Sequence, residues 1–270
     1  MTERPTRSYP SHAVETIGAF LRAHALADGS TGVVVGLSGG VDSAVVARLA
    51  RDALGPAAVL GVLLPDAHVP AELVAETERY ADSLGIARRT IPIDAAEEAI
   101  RSAVPEVRDR VTLGNSAARL RMTILYALAR ETRRLVAGTG NKSELLLGYF
   151  TKYGDGGVDL LPIGDLYKTD VRAMAEELGV PEAVRRRPPS AGFWPGQTDE
   201  GELGLSYVDV DRVLRRLELL EREEEVVRST GLSAETVRSV ADRLLRNRHK
   251  RRLPPVAKLG VRTVGLDWRE

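Results

Sequence analysis

The chain has 270 residues, 43% of them hydrophobic and only 4% aromatic, which is enough for one sizeable core of Leu, Val, Ile and Ala at the upper end of single-domain length. Its 38 Lys and Arg balance 38 Asp and Glu, which removes the electrostatic reason to expect nucleic acid or an anionic membrane as the main partner. There is no cysteine, no apolar run near the ~20 residues that cross a bilayer, and a polar start from Met1 to Pro10; disulfides and cysteine-nucleophile chemistry are excluded, and a cytoplasmic small-molecule enzyme is expected.

Ala13 to Ala27 carries apolar residues at helical spacing (Val14, Ile17, Phe20, Leu21, Ala25) and closes at Asp28-Gly29, which predicts an opening helix. Thr31 to Leu37 is a β-branched run without polar alternation, as in a strand buried on both faces. Further helices are predicted over 44–54, 71–84, 115–134 and 167–178, with strands over 57–64, 90–93 and 135–138 and a short apolar run over 160–163. Strands alternating with helices imply a parallel sheet covered on both sides. The expected fold is therefore α/β, a Rossmann-like doubly wound parallel sheet of about five strands with helices on both faces, plus N- and C-terminal helices. Arg185 to Gly204 is rich in Pro and Gly and reads as a loop; helices near 208–228 and 234–248 follow. Nothing marks an internal boundary, so residues 1–270 are expected to form a single domain.

Ser38-Gly39-Gly40-Val41-Asp42-Ser43 lies between the first strand and the helix after it. In an open α/β sheet ligands bind beyond the carboxyl ends of strands, where a helix N-terminus offers unpaired N–H groups to an anion. Gly39 and Gly40 let the backbone approach phosphates closely, and Ser38 and Ser43 add hydroxyl donors. The turn lacks the lysine of a Walker loop and places Asp42 where a carboxylate repels phosphate unless a metal intervenes, which makes Asp42 a candidate magnesium ligand. A bland alternative, a capped helix after a glycine turn, fits the same residues. Thr139 and Gly140 follow the fourth strand at the same sheet edge, which puts Glu144 within reach of a metal held by Asp42.

SGGVDS resembles the pyrophosphate-binding loop of the ATP pyrophosphatases, which adenylate a carboxylate or carbonyl oxygen before amination or thiolation; asparagine synthetase, GMP synthetase, several tRNA-modifying enzymes and NAD synthetase belong to that group. Gly138 to Thr169 (GTGNKSELLLGYFTKYGDGGVDLLPIGDLYKT) closely resembles the central signature of NAD synthetases. The similarity continues in GNSAARLRMTILY (Gly114 to Tyr126), PPSAGFWPGQTDEGELG (Pro188 to Gly204) and HKRRLPP (His249 to Pro255). This resemblance implies a C–N ligase, an ammonia-dependent NAD synthetase with ATP, deamido-NAD and ammonia as substrates, Mg²⁺ as metal and a homodimeric assembly. It carries Gly36, Leu37, Ser38, Gly39, Gly40, Val41, Asp42, Ser43, Thr139, Lys168 and Ser190 to ATP. Arg119, Lys152, Asp159, His249 and Lys250 it carries to deamido-NAD, and Asp42 and Glu144 to Mg²⁺.

Without the resemblance, Lys152, Asp159, Lys168 and Arg119 read as surface charges, and the run Arg246 to Arg252 as a solvated helix end. Gly154-Asp155-Gly156-Gly157 reads as a loop able to close over a ligand, and it and Arg185 to Gly204 are expected to be disordered without ligand. Asp155 is the candidate base for the ammonia step, since ammonia is largely ammonium at neutral pH. Phe193 and Trp194 either stack on a ring or pin the loop. The absence of cysteine and of extra length points to free ammonia rather than a built-in glutaminase domain. Other amidating ATP pyrophosphatases leave KYGDGG and SAGFWPGQTDE without an account, a tRNA thiolase fits neither the missing cysteines nor the neutral charge, and a non-catalytic nucleotide sensor has no use for Asp42, Glu144, Lys168 and Asp155 together.

Overall fold

Four parallel strands stand in the order β3-β2-β1-β4 in this computed structural model, which describes residues 9–26 and 29–263. Met1 to Ser8 of the polar start, and Ala27 and Asp28 at the expected end of the first helix, lie outside the described residues. In chain order the elements are α1 (Ala13–Ala25), β1 (Val33–Gly36), α2 (Val41–Leu54), β2 (Val59–Leu63), α3 (Ala71–Ser83), β3 (Ala87–Thr90), α4 (Asp94–Ala103), α5 (Arg110–Thr132) and β4 (Leu135–Ala137). Then come α6 (Lys142–Leu147), α7 (Lys168–Glu177), α8 (Glu182–Arg185), α9 (Asp199–Leu203), α10 (Tyr207–Glu218), α11 (Glu223–Thr230) and α12 (Ala234–Arg246).

The β-branched run of β1 forms the centre of the sheet, paired with β2 on one side and β4 on the other, and Val33, Val34 and Val35 are fully buried. The two flanks of the sheet account for this. Val33 and Val35 join α1, α2 and α7 in one apolar cluster, and Val34 joins α5 in a second on the opposite face. A third cluster gathers Leu147, Tyr167 and the inner faces of α10, α11 and α12, so the C-terminal helices pack on one another and reach the sheet through α6 and α7. No helix among the described residues is long and apolar enough to cross a membrane.

Among the described residues the sheet has four strands rather than about five. The run over 160–163 makes a single parallel bridge, Ala137 to Leu160, and Pro162 two residues on has no N–H to continue a ladder. β3 sits three residues before its expected place. As an edge strand it exposes Ala87, Arg88 and Arg89, so a search for a buried apolar run finds Ile91 and Ile93 instead. Those two still donate to Leu63 and Pro65 carbonyls at 2.9 Å each. α5 begins at Arg110, five residues early, because Asp109 caps it by accepting from Thr112 N–H at 2.8 Å. α4 has no counterpart in the sequence reading. The helix expected over 208–228 is two helices, broken where Leu220 takes a positive φ of 60°.

The chain runs β1, β2, β3 outward and then returns to place β4 on the other side of β1. The carboxyl ends of β1 and β4 therefore flank the switch point, where a doubly wound sheet opens a crevice for ligand.

Candidate active site

The turn after β1 and the segment after β4 meet at this switch point. α2 begins at Val41, with Gly40 as its cap, so Asp42 and Ser43 occupy the first helical turn rather than the preceding loop. Gly39 has φ +78°, and a Cβ there would stand 2.6 Å from Leu73 and 2.7 Å from Thr77. Conformation and space both require glycine. Ser43 Oγ donates to the Gly40 carbonyl at 3.0 Å and lies 3.3 Å from the Ser38 hydroxyl and N–H. These bonds hold the turn in the shape of a cradle.

Two carboxylates converge on one ammonium. Lys168 Nζ donates to Asp42 Oδ2 at 2.6 Å and to Glu144 Oε1 at 2.9 Å, while Asn141, fully buried, holds the other oxygen of each acid. Its side-chain amide donates to Asp42 Oδ1 at 2.9 Å, and its backbone N–H donates to Glu144 Oε2 at 3.3 Å. The second of these belongs to a capping box that starts α6. Burial pulls the Lys168 pKa down, but Asp42 and Glu144 together outweigh it, so the ammonium is held charged. Burial pushes Glu144 upward against the attraction of Lys168.

Lys168 is itself placed by a buried network. Its backbone N–H donates to Ser143 Oγ at 2.8 Å, and Ser143 and Thr169 N–H both bond to Asp211 on α10. Asp199, at the start of α9, is also buried and accepts from Tyr207 at 3.1 Å. Burial raises its pKa and Lys168 lowers it, which places Asp199 in the electrostatic field of the same cluster. Asn141, Ser143, Asp199 and Asp211 were not legible as site residues. Asn141 alone had a local signal, since an Asn three residues before a Glu is a helix-start pattern.

The donor set fits magnesium. The Asp42 and Glu144 oxygens share one point, the position Lys168 Nζ holds, and hard carboxylate oxygens suit an ion that keeps waters and needs few protein ligands. Among the described residues no group of three or more His, Cys, Asp and Glu could hold a metal, so an ion held by this pair would need phosphate oxygens and water to complete its shell.

A second group of predicted residues meets at the C-terminal end of α6. Lys152 Nζ donates to the His249 carbonyl at 3.0 Å, and Lys250 Nζ to the Gly148 and Phe150 carbonyls at 2.7 and 2.8 Å. Burial lowers the Lys250 pKa, Asp155 raises it and Arg119 lowers it, so Arg119 and Asp155 face the same lysine. Asp155 accepts the Thr151 N–H at 2.8 Å; protein crowded around its carboxyl pushes its pKa up, against that N–H and Lys250, while the residue itself reaches solvent. Asp159 is used differently, accepting from Tyr126 at 2.9 Å and from the Val136 N–H at 2.8 Å, which ties it to α5 and β4. Thr139 lies at the end of β4, half-buried, and Ser190 is exposed, accepting the Gly192 N–H.

The segment 185–204 is partly helical rather than loop throughout, since it holds the end of α8 and all of α9. Its aromatics pin it. Phe193 covers Gly114 of α5 so closely that a Cβ there would lie 2.3 Å from the ring, and Trp194 packs under the Arg110 guanidinium, 4.2 Å from the ring centroid.

A glycine turn at the switch point of a parallel sheet, with a carboxylate pair beside it, defines an α/β protein of the nucleotide-binding class. The NAD synthase family model matches residues 13–254, and the chain belongs to that family. It is 51% identical over 243 residues to the NH₃-dependent NAD⁺ synthetase of Methanosarcina mazei, covering 89% of this chain and 95% of that one. Among solved structures it resembles an NMN synthetase from Francisella tularensis, with a TM-score of 0.82 and 33% identity over 93% of this chain and 99% of the other. It also resembles the NH₃-dependent NAD synthetase of Campylobacter jejuni, with a TM-score of 0.78 and 32% identity over 91% and 97%.

Proposed function

We propose that this chain is an ammonia-dependent NAD synthetase working in the cytoplasm: ATP, deamido-NAD and ammonia give AMP, pyrophosphate and NAD. Family membership supports the reaction class, and one observation carries the site assignment, the convergence of Asp42 and Glu144 on a single cation position at the phosphate turn. The nicotinate carboxylate attacks the α-phosphorus of ATP, the bond to pyrophosphate breaks, and ammonia then displaces AMP from the acyl carbon. Gly39 and Gly40 and the N-terminus of α2 hold the phosphates. Lys168 turns from the carboxylates toward the leaving pyrophosphate and offsets the charge growing there. Asp42 and Glu144 would hold Mg²⁺, which would supply Lewis-acid stabilisation to the phosphoryl oxygens. Asp155, with a raised pKa and access to water, takes the proton that ammonium must lose. Arg119, Lys152, Asp159, His249 and Lys250 form the proposed dinucleotide side.

The deciding assay incubates the purified chain with ATP, Mg²⁺, deamido-NAD and ammonium. NAD formed in equal amount with AMP supports the reading; AMP release with xanthosine monophosphate or aspartate, and no NAD, keeps the adenylating site and discards the substrate. A second reading, NMN synthesis, is favoured by the Francisella tularensis neighbour, and nicotinate mononucleotide in place of deamido-NAD tests it in the same assay. Asp155→Asn is expected to lower ammonia-dependent turnover about 10²–10⁴-fold at neutral pH; unchanged turnover removes the base assignment. The reading includes a homodimer, supported by Leu253, Val256, Leu259 and Val261, all exposed on the C-terminal segment, and sedimentation at two concentrations tests it.

A further inference from the structure

Arg187 makes no contact with the Lys168 ammonium, yet its guanidinium lies on the phosphate turn. One nitrogen donates to the Gly39 carbonyl and another to Glu76 Oε2 at 2.6 Å. A Cβ built at Gly39 would stand 3.2 Å from Arg187 Nη1, so the cation touches the residue whose shape the cradle depends on. The next two residues are Pro188 and Pro189, whose fixed φ angles limit how far the backbone here can wander. The Pro189 carbonyl in turn accepts the Asp199 N–H at 2.9 Å, which fastens this stretch to the acidic cluster.

Charge balance gives the guanidinium its use. Lys168 is already answered by both Asp42 and Glu144, with Asp199 close by, so the cluster by itself is net negative. A pyrophosphate group arriving at the α2 N-terminus brings several more negative charges. Arg187 has five N–H donors in a planar fork that matches two phosphate oxygens, and one of its present acceptors is a neutral carbonyl. A phosphate oxygen is the stronger partner, and the side chain, 26% exposed like its partner Glu76, can turn to meet it.

We propose that Arg187 is a pyrophosphate-binding residue, parked on Gly39 by Glu76 and transferred to the β- and γ-phosphates when ATP binds. The inference rests on reading this turn as the ATP site. Direct calorimetric titration of pyrophosphate and of AMP, each with Mg²⁺, tests it on wild type, Arg187→Ala, Arg187→Lys and Glu76→Gln, with NAD formation by the wild type run in parallel. Expected are a loss of tenfold or more in pyrophosphate affinity for Arg187→Ala, AMP affinity held within about twofold, and partial recovery with Arg187→Lys. Glu76→Gln, which frees the guanidinium, keeps or tightens pyrophosphate binding. Equal losses for Arg187→Ala and Glu76→Gln, equal losses of pyrophosphate and AMP, or no loss at all overturn the proposal in favour of a tie between the turn and α3. If wild type binds pyrophosphate but makes no NAD, the functional reading fails and this inference stands.

Discussion

Lys168 is a buried ammonium whose removal leaves two half-buried carboxylates facing each other, and the cost of that repulsion sets what each substitution does. With one partner gone, an uncompensated buried charge typically costs about 3–5 kcal/mol, so Lys168→Ala is expected to lower the unfolding midpoint in the absence of Mg²⁺. The same variant is expected to lose about 10²–10³-fold in kcat, the usual price of removing one donor aimed at developing charge, when NAD formation is followed at saturating substrates. Asn141 works at one remove. Its side-chain amide grips Asp42 while its backbone N–H holds Glu144, so Asn141→Ala lets the Asp42 carboxylate turn, and Mg²⁺ affinity measured by titrating activity is expected to fall about 10–100-fold. An unchanged Mg²⁺ requirement in that variant removes the metal assignment of the pair.

At the scale of elements, the site depends on α6, α7 and α10 keeping one register. Ser143, Thr169 and Asp211 bond across these three helices in a buried network, and the network fixes where α7 starts and hence where Lys168 points. Ser143→Ala leaves the Lys168 N–H and an Asp211 oxygen without that partner, a loss of about 1–3 kcal/mol to be read from denaturant unfolding, with kcat falling alongside. If stability falls and kcat does not, the network is structural only. Elements also account for the corrections to the sequence reading. Edge strand β3 carries arginines where a buried strand carries valines, and α10 and α11 share one amphipathic pattern whose interruption depends on the backbone at Leu220. Both are decided by neighbours in space, which local periodicity does not report.

For the molecule as a whole, ATP and Mg²⁺ are expected to stabilise the fold together far more than either alone, because in the proposed site each would complete the other's binding shell. At concentrations about 100 times the dissociation constant the gain is about 2.7 kcal/mol, visible as a rise in thermal midpoint that EDTA abolishes. A midpoint that rises fully with ATP in EDTA counts against a metal-bridged nucleotide.

The alternation of β-branched runs with helices, the strand–turn–helix around Ser38 to Ser43 and the long signature from Gly138 to Thr169 determined the fold class and the family, because these are properties of consecutive residues. The family resemblance also carried Asp42, Glu144 and Lys168 to one nucleotide site, although it says nothing of how they touch. That Lys168 sits between the two acids, that Asn141 steadies both, that Asp199 and Asp211 come from a distant helical layer, and that Phe193 seats on Gly114 were decided only by the tertiary structure. The physical reason is burial: a charge taken out of water must find its partners wherever the packed chain brings them, and those partners lie 24 and 126 residues from Lys168, beyond any spacing rule.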